Sequence, residues 1–275
     1  MPRRPADSGR NPPVLKKFGQ HFLTDLSVLQ SIADAIAPTD ADTVLEIGPG
    51  RGALTDLLVP RAGRVVAVEL DRALAAQLVE RYRGNPKVSI VQEDILETDI
   101  RSLVGDDYIL AGNVPYYITT PIIFKSIEPP VSRRSVFLVQ REVAQRMAAN
   151  ANDDEFGALT VNVAATSEVE IIRDVEPGSF SPPPKVESAV IRLKPRAQPL
   201  IERENVPAFR VFVQAAFGQR RKQIQRVLRS VRALSVEEVT RVLERCSIEP
   251  TARPETITPE KFVELFSVLA EPRAS

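Results

Sequence analysis

The part of the chain best suited to chemistry is Gly112-Asn113-Val114-Pro115-Tyr116-Tyr117, directly after a short apolar run. The exocyclic amino group of a nucleobase is a poor nucleophile because its lone pair is delocalised into the ring, so reaction there depends on positioning. The side-chain oxygen of Asn113 can accept a hydrogen bond from one N–H of such an amino group, and the carbonyl of Val114, which precedes a proline and is biased to be extended, can accept a hydrogen bond from the other. Tyr116 offers an aromatic face for a base. The other interpretation is a plain strand-to-helix turn.

A glycine-rich turn lies earlier, at Glu46-Ile47-Gly48-Pro49-Gly50-Arg51-Gly52, where three of the 12 glycines fall. Glycines at such a turn let the backbone approach a ligand closely and turn sharply into a helix. The spacing is G-x-G-x-G, which differs from the G-x-G-x-x-G of dinucleotide sites. Taken alone, the turn could serve only the fold.

Acidic residues end the next two predicted strands. Glu69 stands 21 residues beyond Gly48, where its carboxylate can accept hydrogen bonds from both hydroxyls of a ribose. Asp94 could accept the exocyclic amine of an adenine ring, whereas Glu93 is interpreted as a solvated strand end. Each acid alone could be a solvated strand end. Together the glycine turn, Glu69 and Asp94, at the ends of three successive strands, predict an adenosine-containing ligand. Two carboxylates suit a cation better than a pyrophosphate, which favours S-adenosylmethionine over NAD.

Strands alternating with helices are expected to position these residues. The alternation predicts parallel βαβ units and an α/β, doubly wound, Rossmann-like sheet. Ligands of such sheets bind at the carboxyl ends of the strands. The predicted strands are 43–47, 64–70, 88–92, 108–111 and 135–140, and the predicted helices are 28–37, 53–59, 73–83, 121–127 and 142–149.

The later part of the chain has a different pattern. Two extended runs flank a Pro-rich turn and predict a hairpin-like edge with a long connection. After residue 196 the strand signals cease, which predicts a small all-helical domain. We therefore divide the chain into a disordered basic arm (1–17), a cofactor-binding domain (18–196) and a helical RNA-binding or ribosome-binding domain (197–275). The extended runs are 168–175 and 186–193, and the late helices are 207–217, 220–234, 236–246 and 259–269.

Composition excludes several kinds of chemistry. The 275 residues include one histidine and one cysteine, which cannot form a zinc site of several His and Cys ligands or an internal disulfide, so no metal is expected. Cys246 follows apolar residues at helical spacing and is predicted to lie in the core. Apolar runs are too short for a membrane helix and the N-terminus lacks an apolar signal stretch, so a cytoplasmic location is expected.

The formal net charge of zero conceals two basic segments. Residues 1–25 carry five basic and two acidic side chains, and residues 206–234 carry seven basic and no acidic ones. These segments, with Phe209, Phe212 and Phe217 beside the larger one, suit phosphate contacts, although they could be only solvated faces. The apolar stripe within 224–234 is predicted to pack on the domain and not on a membrane.

Five motifs together resemble those of the ribosomal RNA adenine N6,N6-dimethyltransferases, specifically the small-subunit enzymes that modify 16S rRNA. The resemblance covers about residues 16–270. The family often has Asn where His21 stands and Leu where Val114 stands. The second change is conservative because the proposed contact uses backbone, while His21 could instead be a structural histidine. The motifs are Phe18-Gly19-Gln20-His21-Phe22-Leu23, Glu46-Ile47-Gly48-Pro49-Gly50, Glu69 with Asp94, Asn113-Val114-Pro115-Tyr116, and Phe180-Ser181-Pro182-Pro183-Pro184-Lys185-Val186.

The resemblance implies a class I methyltransferase fold and a role for each motif. Asn113 would touch both cofactor and substrate, while Tyr116 and Phe180 would sandwich the target base. The implied substrate is two adjacent adenines in a hairpin loop near the 3′ end of 16S rRNA, within the 30S subunit, each receiving two methyl groups from a monomeric enzyme. The implied S-adenosylmethionine contacts are His21 and Leu23 at the methionine end, Gly48 at the cradle, Glu69 at the ribose and Asp94 at the adenine.

Three other functions would use part of the same motifs. The antibiotic-resistance methyltransferases of 23S rRNA share the cofactor and Asn-x-Pro-Tyr motifs. The small-subunit enzyme is favoured because residues 117–121, 180–186 and 219–222 look more like it. A non-catalytic ribosome-assembly factor is disfavoured because Gly48 and Asn113 are intact, and a nicotinamide-dependent oxidoreductase is disfavoured by the glycine spacing.

Overall fold

The computed structural model describes residues 21–219 and 222–271. The predicted basic arm, the start of the first motif at residues 18–20, and Arg220 and Arg221 lie outside the described residues. The strands are β1 (Phe22–Leu23), β2 (Thr43–Ile47), β3 (Arg64–Val68), β4 (Val88–Val91), β5 (Ile109–Asn113), β6 (Ser135–Gln140), β7 (Ser167–Val175), β8 (Phe180–Ser181) and β9 (Ser188–Pro195). The helices are α1 (Leu26–Ile36), α2 (Ala53–Leu58), α3 (Arg72–Arg81), α4 (Ile100–Val104), α5 (Thr119–Ile127), α6 (Arg141–Ala148), α7 (Ala158–Thr166), α8 (Val206–Phe217), α9 (Ile224–Arg232), α10 (Val236–Arg245) and α11 (Pro259–Ala270).

Seven strands form one mixed sheet in the order β4-β3-β2-β5-β6-β9-β7. The five strands from β4 to β6 in this order are parallel, which confirms the predicted α/β sheet. Their carboxyl ends therefore lie along the same side of the sheet. β9 runs antiparallel to both β6 and β7, so the two late runs do pair, with β7 at the outer edge. A separate two-stranded ribbon joins β1 to β8. The ribbon was not predicted, because two residues are too few to show a period.

The sheet is covered on both faces because successive strand residues point to opposite sides. Val44 belongs to the buried cluster that includes α1 and α2. Its neighbour Leu45 belongs to a second cluster, which includes α4, α5 and the helices beyond β9. Burial on both faces explains why β2, β5 and β6 read as continuous apolar runs and were predictable from the sequence.

Helix α7 was missed because it has no polar face. Seven of its nine residues are buried, since α5, α6, β7, α8 and α11 all pack against it. A helix buried all round has no 3.6-residue polar period to detect. The same helix joins the sheet to the C-terminal helices. The division proposed at residues 196 and 197 stays a prediction.

Phe209 and Phe212 lie in the core and the partly buried Phe217 packs against it, which corrects the expectation that these aromatic residues accompany a phosphate-binding surface. Phe209 and Phe212 are 1% and 2% exposed. Phe209 packs edge-on against Phe266 with ring centroids 5.5 Å apart, and Phe217 stacks on Phe262 at 5.6 Å. They repeat at helical spacing on the inner face of α8, so their burial follows from the amphipathic pattern.

Two other predictions about this region are confirmed. The apolar stripe of α9 packs inward, with Ile224, Val227 and Leu228 fully buried. Cys246 is also buried in the same cluster. In the described part of the chain, no helix is both long and apolar enough to cross a membrane.

The Phe209→Ala variant should lose about 3–5 kcal/mol of unfolding free energy, because truncating a buried aromatic ring leaves a cavity. Val211→Ala, on the same helix but 63% exposed, should change it by less than about 0.5 kcal/mol. Urea unfolding of both variants measures the difference. Equal stability of the two would contradict the core position of Phe209.

Candidate functional site

A cavity of about 320 Å³ opens at the carboxyl ends of the central parallel strands. The turns after β2, β3, β4 and β5 line it, and the β1–β8 ribbon closes one side. This is the position at which ligands bind open α/β sheets. All eight residues predicted from the sequence line this one cavity, namely His21, Leu23, Gly48, Glu69, Asp94, Asn113, Tyr116 and Phe180.

The glycine turn between β2 and α2 depends on backbone conformations that side chains avoid. Gly48, Gly50 and Gly52 have φ of +64°, +58° and +80°. A Cβ on Gly52 would lie 2.9 Å from Cδ2 of Leu78, and one on Gly50 would lie 3.2 Å from the ring of Phe22. The turn therefore needs glycine both for its conformation and for the close approach of its neighbours.

Glu69 ties the end of β3 to this turn. Its side chain is 7% exposed, and its two carboxylate oxygens accept hydrogen bonds from the backbone N–H of Gly50 (3.0 Å) and of Asp71 (2.9 Å). Burial raises the pKa of the Glu69 carboxyl, and the two backbone hydrogen bonds partly oppose the rise. Each carboxylate oxygen keeps a further lone pair, so the group can still accept hydrogen bonds from a ligand.

The other two predicted acids differ in exposure. Asp94 is half-buried, and its Oδ1 accepts a hydrogen bond from the backbone N–H of Leu96 at 2.9 Å. Glu93 is exposed and accepts from the Thr98 hydroxyl at 3.0 Å, which agrees with its interpretation as a solvated strand end. Both line the cavity.

Glu46 is the most buried acid of the cavity, and the sequence motif alone assigns it no role. It is 1% exposed, and its Oε2 accepts a hydrogen bond from the Thr55 hydroxyl at 2.6 Å. Burial raises the pKa of Glu46 to about 8, the Thr55 hydrogen bond opposes that rise, and the nearby Glu69 adds to it. An acid at the end of a fully buried strand, directly before a glycine turn, is the sequence signal that could have singled it out.

Aromatic side chains form the wall of the cavity near Asn113. The Tyr116 hydroxyl hydrogen-bonds to Oγ of Ser188 at 2.6 Å, and burial raises the pKa of Tyr116, so its ring carries a neutral hydroxyl. The His21 ring stacks on Tyr116, with centroids 5.9 Å apart and planes inclined by 26°. Phe180 is 4% exposed and lines the same cavity. The sandwich of a base between Tyr116 and Phe180 stays a prediction.

His21 and Asn113 are also joined through the backbone. Nδ1 of His21 lies 2.8 Å from the carbonyl oxygen of Pro182, and Nδ2 of Asn113 donates to the carbonyl of His21 at 3.5 Å. The hydrogen bond to Pro182 is the kind expected of a structural histidine, although the ring also lines the cavity. The amide of Asn113 thus points its nitrogen toward β1, and its oxygen remains the acceptor that the sequence proposal requires.

A parallel sheet whose strand ends deliver a glycine turn and acidic side chains to one cavity has the architecture of the class I S-adenosylmethionine-dependent methyltransferases, and this chain is one of them. In the described residues, no cluster of three or more His, Cys, Asp or Glu side chains could hold a metal ion.

The family follows from comparison with known proteins. A family model described as ribosomal RNA adenine dimethylase matches residues 14–271, and the chain belongs to this family. The ribosomal RNA small subunit methyltransferase A of Geobacter metallireducens is 40% identical over 256 residues, which cover 91% of this chain and 93% of the relative. The protein of the same name from Pseudomonas aeruginosa is 39% identical over 93% of this chain and 94% of its own.

Solved structures agree with the fold. A dimethyladenosine transferase from Plasmodium falciparum superposes with a TM-score of 0.74 at 25% identity, covering 89% of this chain and 96% of the other. The 23S rRNA methyltransferase ErmE superposes with a TM-score of 0.68 at 30% identity, covering 91% and 100%. The resemblance inferred from the motifs is therefore confirmed at the level of family and enzyme class.

Replacing Glu46 should change how stability depends on pH. Between about pH 4.5 and 8 the folded chain keeps the Glu46 proton while the unfolded chain has lost it, so this group makes folding less favourable as pH rises through that window. Glu46→Gln has no such proton to lose, so its unfolding free energy relative to the wild type should rise from about pH 5 to about pH 8.

Urea unfolding at the two pH values measures this change, with Glu97→Gln, an exposed carboxyl, as the control. A constant difference between Glu46→Gln and the wild type would contradict the raised pKa.

Proposed function

We propose that this chain transfers methyl groups from S-adenosylmethionine to N6 of two adjacent adenines in a hairpin loop near the 3′ end of 16S rRNA, within the 30S particle. The observation that carries the proposal is that Asn113 and Tyr116 line the same cavity as Gly48 and Glu69. A base and a nucleoside cofactor bound by these groups would meet in one enclosed space, as methyl transfer requires. This methylation would contribute to the biogenesis of the small ribosomal subunit.

The choice of ribosomal subunit rests on the relatives. The two proteins named as small-subunit methyltransferases are 40% and 39% identical to this chain over more than nine-tenths of it. ErmE, named as a 23S rRNA methyltransferase, is 30% identical over a similar share. The greater identity favours 16S rRNA, and methylation of 23S rRNA is the alternative that the assay below distinguishes.

The cavity fits S-adenosylmethionine by its charge and by its backbone. The carboxylates of Glu69 and Asp94 suit a cationic sulfonium, and the glycine turn lets backbone N–H groups come close to a ligand. When bound, the cofactor supplies an electrophilic methyl group. We assign Gly48 to the cradle, Glu69 to the ribose hydroxyls, Asp94 to the adenine amine, and His21 and Leu23 to the methionine end, while Asn113 touches both the cofactor and the target base.

The target adenine is positioned by the turn after β5. The side-chain oxygen of Asn113 and the carbonyl of Val114 accept hydrogen bonds from the two N–H groups of its amino group, which orients the nitrogen lone pair. Val114 is 1% exposed, so its side chain anchors the turn in the core while its backbone serves the base. Tyr116 and Phe180 then hold the base between aromatic faces. The electrophile is reactive, so this site needs no strong general base.

The RNA outside the cavity is held by exposed basic side chains. Arg226 and Arg229 are three residues apart on α9 and therefore share one side of it, and Lys222 stands two residues before the helix; all three are exposed. We call these three residues the α9 basic row. Arg210 is engaged instead by Glu128 at 2.7 Å. We propose that residues 197–275 contact ribosomal RNA through this row, while residues 18–196 bind the cofactor.

Replacing Asn113 tests the catalytic assignment. Asn113→Ala should lower methyl transfer to unmethylated 30S subunits by about 100-fold or more, because the amino group is no longer held for attack. Labelled S-adenosylmethionine and nucleoside digestion of the RNA identify dimethyladenosine and its position. RNA binding should be nearly unchanged. Near-normal turnover would refute the role of Asn113, and label found only in 23S rRNA would refute the substrate.

The α9 basic row makes a separate prediction about RNA affinity. Arg226→Gln combined with Arg229→Gln should reduce the slope of log affinity against log salt by about 1.4 to 1.8, since each phosphate contact contributes about 0.7 to 0.9. Titrations of the RNA hairpin at several salt concentrations measure the slope. Arg64→Gln with Arg83→Gln, beside β3 and β4 near the other edge of the sheet, is the matched control. An unchanged slope would show that the row is only a solvated face.

A further inference from the structure

Arg51 is a basic side chain in an acidic cavity. In the glycine turn it stands between Gly50 and Gly52. Among the described residues it is the only lysine or arginine that lines the cavity. The carboxyl groups of Glu46, Glu69 and Asp94 line the same space. None of the contacts in the proposed function uses the Arg51 side chain.

The guanidinium of Arg51 is held over an aromatic ring. Its Cζ lies 4.2 Å from the centroid of the Phe22 ring, which belongs to β1. Gly50 makes this contact possible, because its missing Cβ would come within 3.2 Å of the same ring. The backbone is held too, since the Arg51 carbonyl accepts a hydrogen bond from Nη1 of Arg81 at 3.0 Å.

Stacking satisfies the face of a guanidinium but not its N–H edge. Nε of Arg51 is buried, and within the described chain it has no hydrogen-bond partner. The hydrogen bonds of the two buried acids of the cavity do not involve Arg51, since Glu69 accepts from Gly50 and Asp71, and Glu46 accepts from Thr55. A buried donor without a partner costs free energy, so the site is completed by a ligand that brings an acceptor.

We propose that Arg51, held in place by Phe22, binds the carboxylate of the methionine end of the cofactor. A guanidinium edge matches a carboxylate in shape and charge. The cavity then recognises the ligand's positive charge through its acids and the ligand's single carboxylate through Arg51. The proposal rests on the proposed function, and it makes Arg51 a specificity residue that selects ligands carrying the amino-acid end.

The test compares two nucleoside thioethers that differ in that end. S-adenosylhomocysteine carries the amino acid, whereas methylthioadenosine lacks it. Arg51→Gln in the full chain should bind S-adenosylhomocysteine about 10- to 100-fold more weakly, the loss expected for a charged hydrogen bond, and should bind methylthioadenosine within about twofold of the wild type. Arg51→Lys, which keeps the charge without the planar edge, should fall between. Isothermal titration calorimetry measures both ligands without any turnover.

Arg64→Gln is the matched control, because it removes an exposed arginine at the start of β3, at the opposite end of the strand from the cavity. Equal weakening of both ligands by Arg51→Gln would show that Arg51 only shapes the turn and would overturn the proposal. Unchanged affinity for both ligands, with weaker RNA binding, would assign Arg51 to an RNA phosphate instead. Failure of the wild type to bind either thioether would overturn the proposed cofactor itself.

Discussion

The carboxylate of Glu69 is the link on which the site depends. It accepts hydrogen bonds from the backbone N–H of Gly50, in the turn that follows β2, and of Asp71, the N-cap residue of α3. One side chain thereby fixes the glycine turn against the end of the neighbouring strand. The positive φ angles of the turn can persist only because such contacts hold it. The cavity, its acidic lining and the placement of Arg51 all follow from that fixed turn.

The charge of the cavity is unfavourable for the protein alone and favourable for its ligand. Glu46 and Glu69 are both buried, and the charge of Glu69 contributes to the raised pKa of Glu46. A protein gains no stability from crowding carboxyl groups in a dry space, and such features are expected where function requires them. A zwitterionic amino acid attached to a sulfonium would complement both the acids and the single guanidinium.

The C-terminal helices and the sheet share one interior. Phe209, Phe212 and Phe262 belong to the same buried cluster as Leu45 and Leu110 of the sheet, with α7 between them. The C-terminal helices therefore present the α9 basic row from a rigid support. In a chain with no net charge, this row places three exposed basic side chains close together in the sequence at α9.

The sequence by itself determined the local features. The strands at 43–47 and 135–140 were predicted with their observed bounds, since a strand buried on both faces leaves a continuous apolar run. All eight residues expected at the site line the cavity. Gly48, Glu69, Asp94, Asn113 and Tyr116 were predicted from their places at strand ends or turns, and the family resemblance added His21, Leu23 and Phe180. Only the tertiary structure decided the contacts between distant segments. The His21 ring hydrogen-bonds to the carbonyl of Pro182, 161 residues away, and the guanidinium of Arg51 in the glycine turn stacks on the ring of Phe22. Such contacts, like the burial of α7, depend on how elements pack together, and no local period in a sequence records that packing.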